Sequence, residues 1–425
     1  MNRIRAALRP LLAAREHNRL LIICAAAFLL SVGMGLTSPV VSLYAQSLGV
    51  STSLVGVYIT TFALGRILVT IPAGRAADRW GRRSLLGVGP LIIATAALGQ
   101  ALAPSYALRL AFRLVDGLGS GLVMSAIYLS AADLTTPSER GRITSLFHTA
   151  LLGGLTVGPA IGGVVAEGFG LAGPFFGMAL LSLIIGPVLW LALPELPSAA
   201  ARAETEAAPP APRPSTSKPV GRPANAAGRL WADPNFVLVA LAGFVTFFAR
   251  AGARDTILPL LGHAELGLGA PQLGVIFTAM AAMNLVAVPV GGQLTDRVGR
   301  KPAIFIGLMI IAGSSLLLAL TPNTFGFVLG ALLMGFGKGF SEPAAMVYMT
   351  DISPAGRYGA SYGLFLTLRD VGLLAGPVAL GRIADLSDLR LPLLLTAGVT
   401  LAVSVLFVGL AHETLRRRQL TRPRV

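Results

Sequence analysis

Long stretches without a charged residue dominate this chain. Neither Asp, Glu, Lys nor Arg occurs within 20–65, 84–108, 143–166, 168–194, 266–295, 302–337 or 391–412. A membrane-spanning helix needs about 20 mostly apolar residues, so the first stretch alone has room for two helices and a short loop. Because lipid offers no hydrogen-bond partners to the backbone, only a helix satisfies its polar groups within one such segment. The pattern therefore predicts an all-α polytopic membrane protein with the lipid bilayer as its solvent.

The polar breaks between the apolar runs predict twelve transmembrane helices. We place them at 20–44, 54–76, 84–103, 106–132, 142–165, 171–193, 235–261, 271–294, 302–321, 324–350, 358–382 and 391–411. One long polar segment, rich in Pro, Ala, Ser and Arg, is typical of an extended linker. We therefore predict an N-terminal six-helix bundle at 1–193, a cytoplasmic linker at 194–234, and a C-terminal six-helix bundle with a basic tail at 235–425.

The basic residues concentrate on one side of the predicted membrane. The chain has 34 Lys and Arg against 19 Asp and Glu, a net charge of +15 that could indicate a nucleic-acid partner. However, most of the basic residues lie in the N-terminus, in every second loop, in the linker and in the C-terminal tail. The positive-inside rule then places both termini in the cytoplasm of a multi-pass protein of the cytoplasmic (plasma) membrane. We expect no nucleic-acid partner.

Composition excludes several other classes of protein. Charged residues make up 12% of the chain, about half of the roughly 25% usual in soluble proteins, which argues against a soluble multidomain enzyme. The single cysteine, Cys24, excludes a disulfide scaffold and a cysteine metal site. The four histidines are scattered, and none pair at metal-binding spacing. We expect no metal and no cofactor.

The second half of the chain repeats the first at an offset of 218 positions. The matching residues are Gly74, Asp78, Arg79, Gly81 and Arg82 with Gly292, Asp296, Arg297, Gly299 and Arg300; Gly117, Gly119 and Gly121 with Gly335, Gly337 and Gly339; and Gly154, Gly158 and Pro159 with Gly372, Gly376 and Pro377. Six helices followed by a cytoplasmic linker give both halves the same orientation. Parallel halves of this kind suit transport by rocking about a central site.

The motifs in these repeats resemble those of the major facilitator superfamily, particularly its twelve-span drug–proton antiporters. The segments GRAADRWGRR and GQLTDRVGRK match the family's loop signature between helices 2 and 3. The signature residues are Gly74, Asp78, Arg79, Gly81, Arg82 and Arg83, and in the second copy Gly292, Asp296, Arg297, Gly299, Arg300 and Lys301. The resemblance implies two pseudo-symmetric six-helix bundles that alternate access to a central cavity.

We interpret this loop as a conformational latch. A glycine at Gly74 would allow close approach of a neighbouring helix. The resemblance implies that Asp78 faces the positive N-terminal end of helix 11, near 357–359, and the repeat then places Asp296 near 140–142. Such contacts would stabilise an outward-facing state. The alternative is that the loop's arginines only set topology.

A second resemblance lies in helix 5, where GLTVGPAIGG matches the family's antiporter motif and favours export over import. Gly154, Gly158 and Gly162 are four residues apart and would form one flat stripe for close helix contact. Pro159 removes a backbone hydrogen bond and bends the helix, and Gly163 completes the motif. These five residues are the predicted hinge, although a stripe of small residues could also be ordinary tight packing.

Charged residues inside the predicted helices are the candidates for proton coupling and substrate binding, because such charges are costly in a bilayer. Arg113 on helix 4 resembles the family's arginine tied to proton coupling, and the family's helices 1, 4, 7 and 10 line its central cavity. The predicted coupling residues are Arg113, Asp116, Asp255 and Glu342; the predicted substrate-cavity residues are Arg250, Arg254, Lys338, Phe244 and Phe248. Most of these charges have no counterpart in the other half. Lys338 and Glu342, four residues apart, could instead simply neutralise each other.

These features predict a secondary active transporter that works by alternating access. We expect proton-coupled efflux of small amphipathic compounds, with the proton gradient as the energy source and the protein as a monomer. The rivals are an importer or symporter, a lipid exporter and, more remotely, a polytopic membrane enzyme. No HExxH motif or nucleophile elbow supports an enzyme.

Overall fold

The computed structural model describes residues 2–133, 140–193, 233–353 and 358–415. In this part of the chain, twelve helices are long and apolar enough to cross a membrane, as predicted. We number them helix 1 to helix 12: Asn2–Thr37, Thr52–Trp80, Arg82–Leu102, Tyr106–Asp133, Arg140–Phe169, Gly173–Ala192, Pro234–Leu266, Ala270–Arg297, Arg300–Leu320, Thr324–Ile352, Tyr358–Leu386 and Leu391–Leu410.

Large apolar side chains cover much of the helix surface. Leu180, Leu191, Val286 and Val405 are between 56% and 75% exposed. An exposed apolar surface of this extent would be a liability in water and marks contact with an apolar partner. The surface fits a protein whose helices face lipid.

The first predicted helix is interrupted. The sequence predicted one helix over 20–44, but helix 1 begins at Asn2 and ends at Thr37, and a short helix follows at Val41–Gln46. Pro39 lies in the turn between them. Proline has no backbone N–H and disfavours helical geometry in the residue before it, so the helix ends there.

Helix 7 contains a segment that the sequence did not predict. An unbroken α-helix was expected over 235–261, but residues Ala249–Ile257 are π-helical, between α-helical segments Pro234–Phe248 and Leu258–Leu266. The hydroxyl of Thr256 donates to the carbonyl oxygen of Ala251, five residues earlier, at 2.8 Å. Wider turns of this kind are rare and concentrate at functional sites.

The chain divides into two compact units. Unit 1 comprises residues 1–38 and 61–217, and unit 2 comprises 39–60 and 218–425. The residues before helix 2 and its first turns thus group with unit 2, whereas the predicted bundles were 1–193 and 235–425. Nearly all of the predicted linker at 194–234 lies outside the described residues.

Each unit has its own apolar core. The core of unit 1 joins helices 1 to 6; its members include Ile23, Leu86, Ile127, Phe147 and Leu189. The core of unit 2 joins helices 7, 9, 10, 11 and 12; its members include Phe236, Ile304, Tyr348, Phe365 and Phe407. Nine of the ten are at most 1% exposed and Phe365 is 2% exposed, so large apolar side chains form the centre of each unit.

The sequence repeat is also a repeat of helix packing. Within unit 1, a Cβ atom added to Gly117 would collide with the carbonyl oxygen of Phe62, on helix 2. Within unit 2, the same contact recurs 218 positions later, between Gly335 and the carbonyl oxygen of Met280. Small residues let helix backbones approach this closely. The two halves therefore use the same glycines for the same helix pairs.

Candidate functional site

The glycine stripe of helix 5 lies directly on helix 1. A Cβ atom on Gly158 would lie 2.7 Å from both the Cα of Gly35 and the carbonyl oxygen of Val32. Cβ atoms on Gly154 and Gly162 would lie even closer to carbonyl oxygens of helix 1. Pro159 and Gly163 are buried in the same stretch of helix 5. The predicted close helix contact is confirmed; its role as a hinge stays a prediction.

The two loop signatures share a backbone turn. Gly81 and Gly299 have φ angles of +81° and +140° and immediately precede helices 3 and 9. Glycine adopts this region without the strain that a Cβ atom would bring. In unit 1, the Nε of Arg83 donates to the carbonyl oxygen of Trp190 at 2.6 Å. The loop is thereby tied to the end of helix 6.

In unit 2 the loop is held by a buried ion pair. The Nε of Arg300 donates to Oδ2 of Asp351 at 2.9 Å, and its Nη1 donates to the carbonyl oxygen of Thr295 at 2.9 Å. Both charged side chains are 5% exposed. The pair joins the start of helix 9 to the end of helix 10, so Arg300 has a partner within its own unit.

The segment after helix 12 completes this network, and sequence reasoning missed it. The carboxylate of Glu413 accepts hydrogen bonds from the backbone N–H groups of Arg300 and Lys301, at 3.1 and 3.0 Å. The hydroxyl of Thr414 donates to Asp351 at 3.0 Å. A carboxylate at a helix N-terminus satisfies free N–H groups and interacts well with the helix dipole. No local motif around Glu413 indicated this contact, because its partners are more than a hundred positions away.

Other parts of the predicted latch are placed differently or not described. In the described part of the chain, a side chain at Gly74 or Gly292 would meet no atom within 4 Å, so the close helix approach expected at Gly74 does not occur among the described residues. The side chain of Asp78, and the segments 140–142 and 357–359 that were expected to face the two acids, lie outside the described side chains. The carboxylate of Asp296 is 77% exposed and 3.9 Å from Arg300. Arg79 and Arg297 are exposed.

In unit 1 the predicted coupling residues form one buried cluster between helices 3 and 4. Oδ2 of Asp116 accepts hydrogen bonds from Nη1 of Arg113 at 3.2 Å and from Nε2 of Gln100 at 3.3 Å. Asp116 is fully buried, and the guanidinium of Arg113 lies 4.7 Å from the ring centre of Phe62. A buried charge needs such a partner, because desolvation is otherwise uncompensated. Arg113 and Asp116 thus form an ion pair, while their role in proton coupling stays a prediction.

In unit 2, helices 7, 10 and 11 bring seven charged side chains into the same region. The three ion pairs are Arg254–Asp255 at 3.1 Å, Lys338–Glu342 at 3.1 Å and Arg369–Asp370 at 3.0 Å, and Arg250 is the seventh charge. Glu342 interacts electrostatically with Arg250 and Arg369 as well as with Lys338. The pairing of Lys338 with Glu342 is confirmed, while a coupling role for Glu342 stays a prediction.

Aromatic rings contact the arginines of this cluster. The ring centre of Phe247 lies 5.5 Å from the guanidinium of Arg250 and 4.5 Å from that of Arg369. The predicted cavity residues Phe244 and Phe248 instead stack on each other, with ring centres 5.8 Å apart. Phe247, which lies between them in sequence, is the aromatic side chain of helix 7 that contacts the arginines, and Phe277 of helix 8 contacts Arg254, with its ring centre 5.0 Å from that guanidinium.

A small cavity lies beside this cluster. It has about 10 Å³ of space, enough for one water molecule. The polar residues lining it are Thr246, Ser341, Glu342 and Arg369, and the apolar ones include Phe247 and Phe365. Among the described residues there is no group of three or more His, Cys, Asp or Glu side chains that could hold a metal ion.

The comparisons with known proteins agree with this geometry. Residues 23–269 and 239–424 each match the family model of the Major Facilitator Superfamily. Multidrug resistance protein 2 of Bacillus subtilis (strain 168) is 25% identical over 364 residues, which are 85% of this chain and 87% of that protein. Multidrug resistance protein 1 of the same organism is 23% identical over 392 residues, 92% of this chain and 95% of that protein.

A solved structure shows the same fold. The crystal structure of a bacterial homolog of the human lysosomal transporter Spinster, in an inward-facing and occupied conformation, aligns with a TM-score of 0.75 at 16% identity. The alignment covers 92% of this chain and 95% of that chain. With the family model matching nearly the whole sequence, the chain belongs to the Major Facilitator Superfamily of membrane transporters.

Proposed function

We propose that this transporter exports small amphipathic compounds in exchange for protons, by alternating access. It would act as a monomer in the cytoplasmic membrane with both termini in the cytoplasm, and it would need no cofactor besides the proton gradient. The antiporter motif of helix 5 and the multidrug resistance relatives support export. The chain's large apolar surface supports a site within the bilayer.

The observation that carries the proposal is the position of Glu342. Its carboxylate lines a water-sized cavity together with Phe247 and Phe365, inside a segment of membrane-spanning character. Ionisable side chains at such depth are expensive and are usually functional. This carboxylate pairs with Lys338 at 3.1 Å. If it takes up a proton from water in the cavity, the ion pair breaks; when it releases the proton, the ion pair forms again.

The coupling cycle follows from charge balance. When Glu342 is protonated, Lys338 loses its counter-ion and the cluster gains one positive charge. When Glu342 releases the proton, the ion pair re-forms. Alternating access would let the proton arrive from one side of the membrane and leave on the other. One charge crossing 100 mV is worth about 2.3 kcal/mol, so about 150 mV would support a gradient of a few hundredfold for each proton.

The buried Arg113–Asp116 pair is the second candidate for proton coupling. Asp116 is fully buried and shares one carboxylate oxygen between Arg113 and Gln100. Protonation of Asp116 would remove the attraction that holds Arg113 in place. We therefore test two variants: one in which Glu342 alone is replaced, and one in which Asp116, Asp255 and Glu342 are replaced together.

The test is transport into inside-out membrane vesicles with an acidic interior. A panel of dyes, drugs and lipids is added outside, and vesicles without the protein correct for passive partition of weak acids and bases. We expect accumulation that needs the pH gradient and is abolished by a proton ionophore. Glu342→Gln should lose gradient-driven accumulation but keep downhill exchange.

The matched control is Glu265→Gln. Glu265 is a partly exposed carboxylate of unit 2 that pairs with Arg390, where Nε of the arginine donates to Oε2 at 2.9 Å, and it lies outside the charged cluster. This hydrogen bond raises the pKa of Arg390 above its ordinary value.

Unchanged gradient-driven accumulation in the triple variant Asp116→Asn, Asp255→Asn and Glu342→Gln would reject these carboxylates as proton carriers. Gradient-driven loss of compound from the vesicles would favour an importer.

A further inference from the structure

The cluster of charged side chains on helices 7, 10 and 11 contains more bases than acids. Each of the three carboxylates in the cluster, Asp255, Glu342 and Asp370, has its own base within 3.1 Å. Four bases face these three acids, so one positive charge is left over. That charge belongs to Arg250.

Arg250 makes no ion pair within the described part of the chain. Its Nε is buried and has no hydrogen-bond acceptor there. Its guanidinium instead makes a cation–π contact with Phe247, whose ring centre lies 5.5 Å away. Lys338 and Arg254 repel it electrostatically, and Glu342, already paired with Lys338, attracts it. An unpaired guanidinium among these groups is costly, and such residues are functional by default.

The backbone around Arg250 is specialised as well. Arg250, Arg254 and Asp255 all fall in the π-helical segment Ala249–Ile257. A π-helical turn displaces side chains from the register of an α-helix, and its retention usually indicates a local function. The equivalent helix of unit 1, helix 1, has no charged residue from position 20 onward. The unpaired cation is therefore a feature of helix 7 that the repeat does not require.

We propose that Arg250 binds an acidic group of the transported compound, so that the substrates are amphipathic anions carrying a carboxylate, sulfonate or phosphate. This inference rests on the proposed transport function and specifies its substrate class. A guanidinium offers a planar fork of N–H donors that matches such groups. The ring of Phe247, between Arg250 and Arg369, supplies an aromatic surface for the apolar part. A cationic compound would meet the one positive charge that the three acids leave unbalanced.

The test compares two ligands that share one fluorophore. Dansylglycine carries a carboxylate and dansylcadaverine carries an amine. Their binding to the purified full-length protein in lipid nanodiscs is measured by equilibrium dialysis at low salt. We expect wild type to prefer dansylglycine. Arg250→Gln should weaken dansylglycine binding by about tenfold or more, the value of a lost charge-assisted hydrogen bond, and leave dansylcadaverine binding equal or tighter.

Two further variants isolate the guanidinium. Arg250→Lys keeps the positive charge without the planar fork and should recover part of the affinity for dansylglycine. Arg382→Gln removes an exposed arginine of helix 11, in the same unit, and should change neither affinity. If Arg250→Gln does not remain monodisperse, the ligand preference of wild type and Arg250→Lys decides the question.

Three results would overturn the inference. They are equal affinity of wild type and Arg250→Gln for dansylglycine, preference of wild type for dansylcadaverine, and absence of saturable dansylglycine binding up to about 1 mM. Gradient-driven export of dansylcadaverine with no response to dansylglycine would refute this inference and leave the proposed function standing. Absence of gradient-driven export, together with selective dansylglycine binding through Arg250, would refute the proposed function and leave this inference standing.

Discussion

Replacing Gly158 by alanine would place a methyl group inside the contact between helices 5 and 1. The new Cβ would lie 2.7 Å from the Cα of Gly35 and from the carbonyl oxygen of Val32. Favourable contacts between carbon atoms lie at about 3.5–4.0 Å. Because both neighbours are backbone atoms, neither can move without displacing helix 1. Overpacking of this kind costs about 1–3 kcal/mol, partly offset by the roughly 0.5–1 kcal/mol that alanine gains over glycine in a helix.

The single cysteine provides the assay. Cys24 is buried in the core of unit 1, on the same helix as Gly35, and a thiol-reactive fluorogenic dye reports its exposure on heating. We expect Gly158→Ala to lower the midpoint of dye labelling by several degrees, at roughly 2–4 °C per kcal/mol for a unit of this size. The matched control is Gly168→Ala in the same helix, where a Cβ would meet no atom of the described residues within 4 Å. It should leave the midpoint unchanged or raise it.

The reasoning would be refuted if Gly158→Ala and Gly168→Ala had the same midpoint as wild type. Such a result would mean that helices 1 and 5 are separated by at least a methyl group in the membrane. It would also remove the physical basis for treating the stripe as a closely packed seam.

Three further variants test the contacts of unit 2, with the exposed Glu167→Gln of unit 1 as a shared control and helix melting at 222 nm as the measurement. Arg300→Gln should destabilise by about 3 kcal/mol, because it removes the charged arginine from its buried ion pair with Asp351. Glu413→Gln should cost about 1 kcal/mol, since an amide offers only one oxygen to the two N–H groups at the start of helix 9. Asp385→Asn should cost about as much or slightly less, because its partly solvated carboxylate accepts from both N–H groups at the start of helix 2, at 2.7 and 2.9 Å. Melting curves identical to wild type for all three would contradict these assignments.

Some parts of the candidate site were predictable because they depend on spacing along one helix. Lys338 and Glu342 are four residues apart and Arg113 and Asp116 three apart, and both pairs form ion pairs. The glycine stripe of helix 5 follows the same logic, since residues four apart share a helix face. The sequence could not show that Phe247, rather than its neighbours, contacts the charged groups. That choice depends on how helix 7 is rotated against the helices around it.

The sequence by itself determined the number and order of the helices, the duplication at 218 positions and the family. These properties follow from hydropathy and from motifs whose residues lie close together in the sequence. In lipid, a helix is the only structure that satisfies the backbone polar groups of each apolar segment. The tertiary structure alone decided which distant groups meet: Arg300 with Asp351, Glu413 with the start of helix 9, and Arg250 with no carboxylate in the described chain. Such contacts depend on how helices far apart in sequence are packed and rotated, because a side chain's partner is set by distance in space.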